Sequence, residues 1–447
     1  MKMDWNPCSV VGKQNHVIAK IAVSIFLMGI CFRLLYSHST GFLPILEQQK
    51  QEEHEQQPFV DKTEKVESSV VVVVSAAAAP TPVASEIFEV SDQSAQKEKC
   101  DIFYGDWIPN PSGPMYTNES CHDIQDFQNC ITNGRPDADY LYWRWKPQDC
   151  ELPRFNAKRF LKAMRNKSWA FIGDSISRNH VQSLLCILSK VADAKEVYHD
   201  KEYRSKRWHF PSYNFTLSVI WSPFLVKAAI FEGANGVSSS EIQLHLDEVD
   251  EIWTKQYHNF DYVVIAGGKW YLKAAIYYEN KTITGCHYCS GKNLTEFGPD
   301  YAYRNALQQV LNFITSSDHD ATILFRTATP DHFENGEWFS GGTCKRRVPF
   351  KEGEIDLNDI DSMMRDIELE EFEKAAEIGS QRGLSLKLLD TSRMSLLRPD
   401  GHPGPYRQFY PFAKDQNAKV QNDCLHWCLP GPIDSWNDLL MQMVVNL

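Results

Sequence analysis

Four short apolar runs constrain the fold of this chain more than any other feature: residues 169–172, 262–265, 322–325 and 386–389. They give way to residues such as Gly173, Gly267, Arg326 and Asp390. Each is too short for a buried helix and reads as a buried strand. Between them the apolar spacing becomes helical. Val181, Leu184, Leu185, Leu188 and Val191 share one face, as do Tyr303, Leu307, Val310, Leu311 and Ile314, and the acidic stretch 356–382, stopped by Gly383, is a third candidate helix. Strands alternating with helices imply an α/β domain with a mostly parallel sheet covered on both faces. Ligands of such sheets bind at the carboxyl ends of the strands. Residues 173–175, 266–269, 326–329 and 390–392 thereby become the candidate site.

The rest of the 447 residues frames that domain. Residues 17–36 are mostly apolar and match the ~20 residues a helix needs to cross a bilayer. Lys2, Lys13 and Lys20 precede the apolar centre and acidic residues follow it, which puts the N-terminus in the cytosol. The long charged lead and the lack of a small-x-small site favour a retained anchor over a cleaved signal peptide. The expected order is a cytosolic tail (1–16), a signal anchor (17–36), a disordered Gln-, Glu- and Ser-rich stem (37–98) and a luminal catalytic domain (99–447). Ten of the twelve cysteines and five Asn-x-Ser/Thr sequons, at Asn118, Asn166, Asn214, Asn280 and Asn293, lie beyond the anchor. Ten cysteines can pair without remainder in an oxidising lumen, so Cys286 and Cys289 read as disulfide partners of some kind before they read as zinc ligands. No metal site is expected. The Cys-, Pro- and Trp-dense stretch 100–153 reads as a disulfide-stapled irregular lobe, and the net charge of −12 disfavours nucleic acid as a partner.

Two constellations carry chemistry. In the first, an apolar strand runs through Gly173-Asp174-Ser175 into a helix containing Arg178, Asn179 and His180, which seats a serine on a helix N-terminus where backbone N–H groups can face an oxyanion. A Gly-Asp-Ser turn is otherwise an ordinary capping sequence. The second is Asn422-Asp423-Cys424-Leu425-His426-Trp427-Cys428-Leu429-Pro430-Gly431. Asp423 can accept from Nδ1–H of His426, leaving Nε2 as a base for Ser175. The flanking cysteines could fix that turn.

The Gly-Asp-Ser turn with a late Asp-x-x-His resembles the SGNH/GDSL esterase superfamily. More narrowly, both blocks, together with Cys130-Ile-Thr-Asn-Gly-Arg-Pro136, Trp143-Arg-Trp145 and His332-Phe-Glu-Asn-Gly-Glu-Trp338, resemble the plant trichome-birefringence-like polysaccharide O-acetyltransferases. The resemblance implies a three-layer α/β/α fold and acetyl transfer by double displacement through an acyl-Ser175. It also implies a Golgi-anchored type II enzyme that needs an acetyl donor but no tightly bound cofactor, and a donor-supplying membrane protein as a partner. For the oxyanion hole it points to the Ser175 N–H with Gly267 or Gly268, although no Gly-x-Asn-Asp block is present. Arg178, Arg326 and His332 become candidate substrate contacts, His332 more readily structural. The 398–406 and 429–437 segments resemble the branch acting on xyloglucan or mannan, so xyloglucan is the expected acceptor. Mannan transfer, a polysaccharide acetylesterase and a non-catalytic polysaccharide-binding protein are the alternatives.

Overall fold

The computed structural model describes residues 100–232 and 238–445, which belong to one compact unit, Ser94–Leu447. The expected tail, anchor and stem lie outside the described residues. Among the described residues no helix is long and apolar enough to cross a membrane.

In chain order, β1 (Gly105–Pro109) and β2 (Trp143–Pro147) pair antiparallel within a turn-rich segment. Helix α1 (Ala157–Ala163) precedes β3 (Ser168–Gly173), which leads into α2 (Ser175–Ser189). There follow β4 (Lys195–His199), β5 (Lys206–Phe210), β6 (Phe215–Trp221), β7 (Val226–Ala229), β8 (Ile242–Val249), α3 (Glu251–Thr254) and β9 (Tyr262–Ile265). The chain continues through β10 (Ala275–Glu279), β11 (Thr282–His287), α4 (Pro299–Ser316), β12 (Thr322–Arg326), α5 (Asp359–Gln381), β13 (Leu386–Leu389), α6 (Ser392–Leu396) and α7 (Asp434–Val445).

The four apolar runs are β3, β9, β12 and β13, and they are adjacent in a seven-stranded sheet ordered β13-β12-β9-β3-β6-β5-β4. Neighbours from β13 to β6 pair in parallel, whereas β5 and β4 add an antiparallel edge. Side chains of a strand alternate between faces, and here both faces are buried. Trp169, Phe171, Val264 and Leu324 enter one core with α2 and α7; Ala170, Ile172, Val263, Ile265, Ile323 and Phe325 enter a second with α4 and α5. The near-continuous apolarity of β3, β9 and β12 is therefore what the architecture demands, whereas β13, at the sheet edge, is only partly buried and carries Lys387.

Where the chain lacks such runs, its strands could not be read. Strand β4 is exposed throughout and carries Lys195, Glu196 and His199, the kind of charged edge that discourages pairing with another sheet. The β11-β10-β8-β7 sheet is a separate layer whose alternating Ile242, Leu244 and Leu246 join the second core. Two expectations need correction. Helix α2 ends at Ser189, so Val191 lies past its end and is exposed. The 100–153 region, expected as an irregular lobe, is stapled but carries the β1–β2 pair, and its Trp107, Tyr116, Ile124, Trp145 and Leu152 join the first core with Trp436, Leu439 and Leu440 of α7.

All ten cysteines beyond residue 99 are paired: Cys100–Cys150, Cys121–Cys186, Cys130–Cys428, Cys286–Cys289 and Cys344–Cys424. Two of these bonds reach the loop that contains Asp423 and His426.

Candidate active site

Strand β3 delivers Ser175 to the carboxyl edge of the sheet through a turn that only glycine permits. Gly173 has φ +153°, and a Cβ there would stand 2.4 Å from the Ala266 carbonyl oxygen and 2.7 Å from Ser177 Oγ. Asp174 caps α2, its Oδ1 accepting from the Ile176 N–H at 2.9 Å. Ser175 is the first residue of the helix and remains half-buried, next to the positive end of the helix dipole.

The second half of the site comes from an irregular segment. His426 Nε2 lies 2.7 Å from Ser175 Oγ, and its Nδ1 lies 2.9 and 3.1 Å from Asp423 Oδ2 and Oδ1. Asp423 Oδ1 also accepts the backbone N–H groups of Leu425 and His426, at 3.2 and 2.9 Å. Burial alone would raise the Asp423 carboxyl, but the neighbouring His426, by charge and hydrogen bond, and then Arg407 hold it well below the usual carboxylate range. An ionised Asp423 keeps the proton of the neutral imidazole on Nδ1, so Nε2 faces the serine hydroxyl as an acceptor. The structure thus brings together the three residues expected to act as nucleophile, base and orienting acid.

It treats the other expected residues differently. Gly267 and Gly268 follow β9 beside the nucleophile turn: Gly268 borders the Asp174 carboxylate, and Gly267 is hemmed in by the Tyr303 ring. Neither of their N–H groups is engaged by another described residue. Arg178 sits one helical turn after Ser175, its guanidinium carbon 5.1 Å from the Trp221 ring centroid, with Arg204 at 5.3 Å from the same ring. Burial and Arg204 draw the Arg178 pKa down, and its buried Nε finds no partner among the described residues. Trp221 pairs with Gly173 across β3 and β6, so this cationic and aromatic group adjoins the nucleophile.

Arg326 and His332 require correction as substrate contacts, because both side chains are buried. Arg326 is 1% exposed, stacks its guanidinium on Trp436 and lowers the Asp174 carboxyl, which burial raises. His332 lies within 2.7 Å of both His402 Nε2 and the Leu396 carbonyl.

Sequence reasoning missed the residues that hold the two halves in register. Asn179, on α2, accepts the Trp427 N–H through Oδ1 at 2.7 Å and donates from Nδ2 to the Trp427 carbonyl at 3.3 Å, both contacts buried. Arg135 donates to the carbonyls of His402 and Asp400 at 2.9 and 2.7 Å. Asn179 and Arg135 stand within the quoted motifs, but nothing in their spacing reveals a partner some 250 residues away.

Comparison with known proteins agrees with this geometry. Residues 152–443 match the GDSL/SGNH-like acyl-esterase family found in Pmr5 and Cas1p, and residues 98–151 match the PMR5 N terminal domain. Protein trichome birefringence-like 25 of Arabidopsis thaliana is 54% identical over all of this chain and 96% of its own length. Xyloglucan O-acetyltransferase 1 of Populus trichocarpa is 43% identical over 81% of this chain and 85% of its own. Xyloglucan O-acetyltransferase 2 of the same species is 45% identical over 77% and 82%. A serine, histidine and aspartate joined at the end of a parallel sheet thus coincide with matches spanning the whole described domain, and the chain belongs to the trichome-birefringence-like group of the GDSL/SGNH-like acyl-esterase family.

Proposed function

We propose that this chain is a polysaccharide O-acetyltransferase that carries an acetyl group on Ser175 and delivers it to a hydroxyl of xyloglucan. The observation that carries the reading is the 2.7 Å contact of His426 Nε2 with Ser175 Oγ, backed by a buried Asp423 on Nδ1. In the first step Oγ attacks the acetyl carbonyl carbon while Nε2 takes the hydroxyl proton. The tetrahedral intermediate collapses with His426 returning that proton to the departing donor group, which leaves acetyl-Ser175. In the second, an acceptor hydroxyl gives its proton to Nε2 and attacks the acyl carbon; protonation of Oγ by His426 then frees the serine. The Ser175 N–H and that of Gly267 or Gly268 are the proposed oxyanion donors, worth ~10²–10³ in rate each. Arg178, with Trp221 and Arg204, forms the proposed substrate-facing wall.

Xyloglucan as acceptor rests on the two Populus relatives, and acetyl transfer fits a family whose shared chemistry is acyl-ester chemistry. The sheet with helices on both faces is taken as the three-layer SGNH-type fold. Placement as a single-pass Golgi protein with a luminal catalytic domain, fed by a donor-supplying membrane protein, is part of the proposal. Five disulfides and sequon asparagines that are exposed at 166, 214, 280 and 293 support a luminal setting.

The test is acetylation of xyloglucan, mannan and xylan oligosaccharides by the purified domain with an artificial acetyl ester, read by mass spectrometry. Acetylated xyloglucan fragments are the expected product. Preferential mannan labelling would move the acceptor, and free acetate without sugar product would make the protein an acetylesterase.

A further inference from the structure

Behind the catalytic loop two buried histidines form a chain with an uneven proton count. His332 Nε2 lies 2.7 Å from the Leu396 carbonyl, His332 Nδ1 lies 2.7 Å from His402 Nε2, and His402 Nδ1 lies 2.7 Å from the carbonyl of His426 itself. All four ring nitrogens are used. The two outer partners are carbonyl oxygens, which only accept, so each outer contact needs an N–H. Two neutral imidazoles own two such protons in all and would spend both outward, leaving two lone pairs facing each other at the central contact. A third proton between the rings satisfies every contact.

We propose that His332 and His402 act as one positioning unit for the catalytic base: the pair binds one shared proton in acid, and the completed chain clamps the backbone of His426. The inference rests on the reading of His426 as the base. His402 stacks on Trp427, with ring centroids 4.3 Å apart, and the His332 N–H donates to the Cys424 carbonyl at 2.9 Å, so the pair grips the loop on both sides of His426. The charged and titratable groups facing the pair are Asp331, Asp400 and Asp423, which favour the added proton, and Lys269, Arg135 and His426. Burial draws both imidazoles down and His332 opposes charge on His402, so the proton is bound below the ordinary histidine range and lost as pH rises. Loss of the proton breaks the central link, so His402 holds the His426 carbonyl without support from the His332 ring.

Nitrogen NMR of the [15N]histidine-labelled domain tests the proton count without turnover. Counted from pH 8 down to the acid limit of the folded domain, the protonated ring nitrogens of His332 and His402 should rise from two to three. Two throughout would overturn the proposal, whether or not the enzyme is a transferase. The kinetic arm uses His332→Phe, which leaves a neutral His402 to donate to the His426 carbonyl. The wild-type to variant ratio of acetyl-ester turnover should be ~10-fold at pH values where the nitrogen count is three and approach unity where it is two, with KM unchanged. A ratio independent of pH marks a purely structural role and contradicts the shared proton. Should the variant not fold, the nitrogen count in the wild-type domain decides alone.

Discussion

The two halves of the site are built by opposite means. Ser175 stands at the junction of a fully buried parallel strand and a capped helix, so its position follows from the packing of β3 and α2 into two cores. His426 and Asp423 stand in a loop with no regular structure, held by Cys130–Cys428, Cys344–Cys424, Asn179, Arg135 and the His332–His402 pair. The proposed nucleophile therefore inherits precision from hydrophobic packing, whereas the proposed base needs separate covalent and polar ties. Damage to the base loop should disarm the enzyme before it unfolds it.

The largest expected effect is shared by both halves. Ser175→Ala should lower transfer by ~10⁴-fold or more with an unchanged melting curve. Asp423→Asn should come next, at ~10⁴-fold, because an amide can hold the imidazole in the wrong tautomer. Steady-state rates with an artificial acetyl ester, paired with circular dichroism, check both.

Asn179→Ala separates the halves. It strands the Trp427 N–H and carbonyl and uncouples the base loop from α2, so kcat should fall ~10- to 100-fold while Gly-Asp-Ser geometry persists. Phosphonylation of Ser175 by a reactive organophosphorus ester, timed against the wild type, would slow similarly. An unaffected rate would mean the loop does not depend on this tie. Replacing both Cys344 and Cys424 by Ala should cost about 2–5 kcal/mol in stability. Its loss of turnover should exceed that of the equivalent Cys100/Cys150 replacement, which touches neither half. Equal losses would erase the contrast between the two halves.

The smallest effect concerns pH. Burial pushes Glu368 up to about 8, Asp438 to about 7 and Asp434 to about 6. A carboxyl raised on folding binds more protons in the native state, so its stabilisation is present below its unfolded pKa and is lost as pH rises through the folded value. Thermal midpoints should therefore decline by a few degrees between pH 7 and 8, above the range where the buried histidines, held low by burial, contribute with the opposite sign. Glu368→Gln should flatten that slope. The Asp423 carboxyl, held low, has the opposite sign and acts only in strong acid.

The same contrast explains what could be read from the sequence. Strands β3, β9 and β12 are buried on both faces, so nearly every residue is apolar and the runs are visible; β13, at the sheet edge, is partly buried and keeps three leucines of four residues. Strands β4, β8 and β10 face water or a second layer in part, and their alternating or charged sequences carry no such mark. Ser175 was legible because its turn uses a local pattern of glycine, cap and helix. His426 and Asp423 were legible as a short motif. Asn179, Arg135 and His402 were not, because their roles depend on partners brought near by the fold. Arg326 and His332 misled for a related reason: position at a strand end does not reveal whether a side chain faces the cleft or the core.

The central claim is that Ser175 carries the acetyl group between donor and acceptor. The most direct measurement is peptide mass spectrometry of the domain quenched after mixing with an acetyl ester and no acceptor. One acetyl group on the peptide containing Ser175, lost when xyloglucan oligosaccharide is added and matched by sugar product, is the predicted result. Continued transfer with Ser175 unmodified, or with Ser175→Ala, would contradict it.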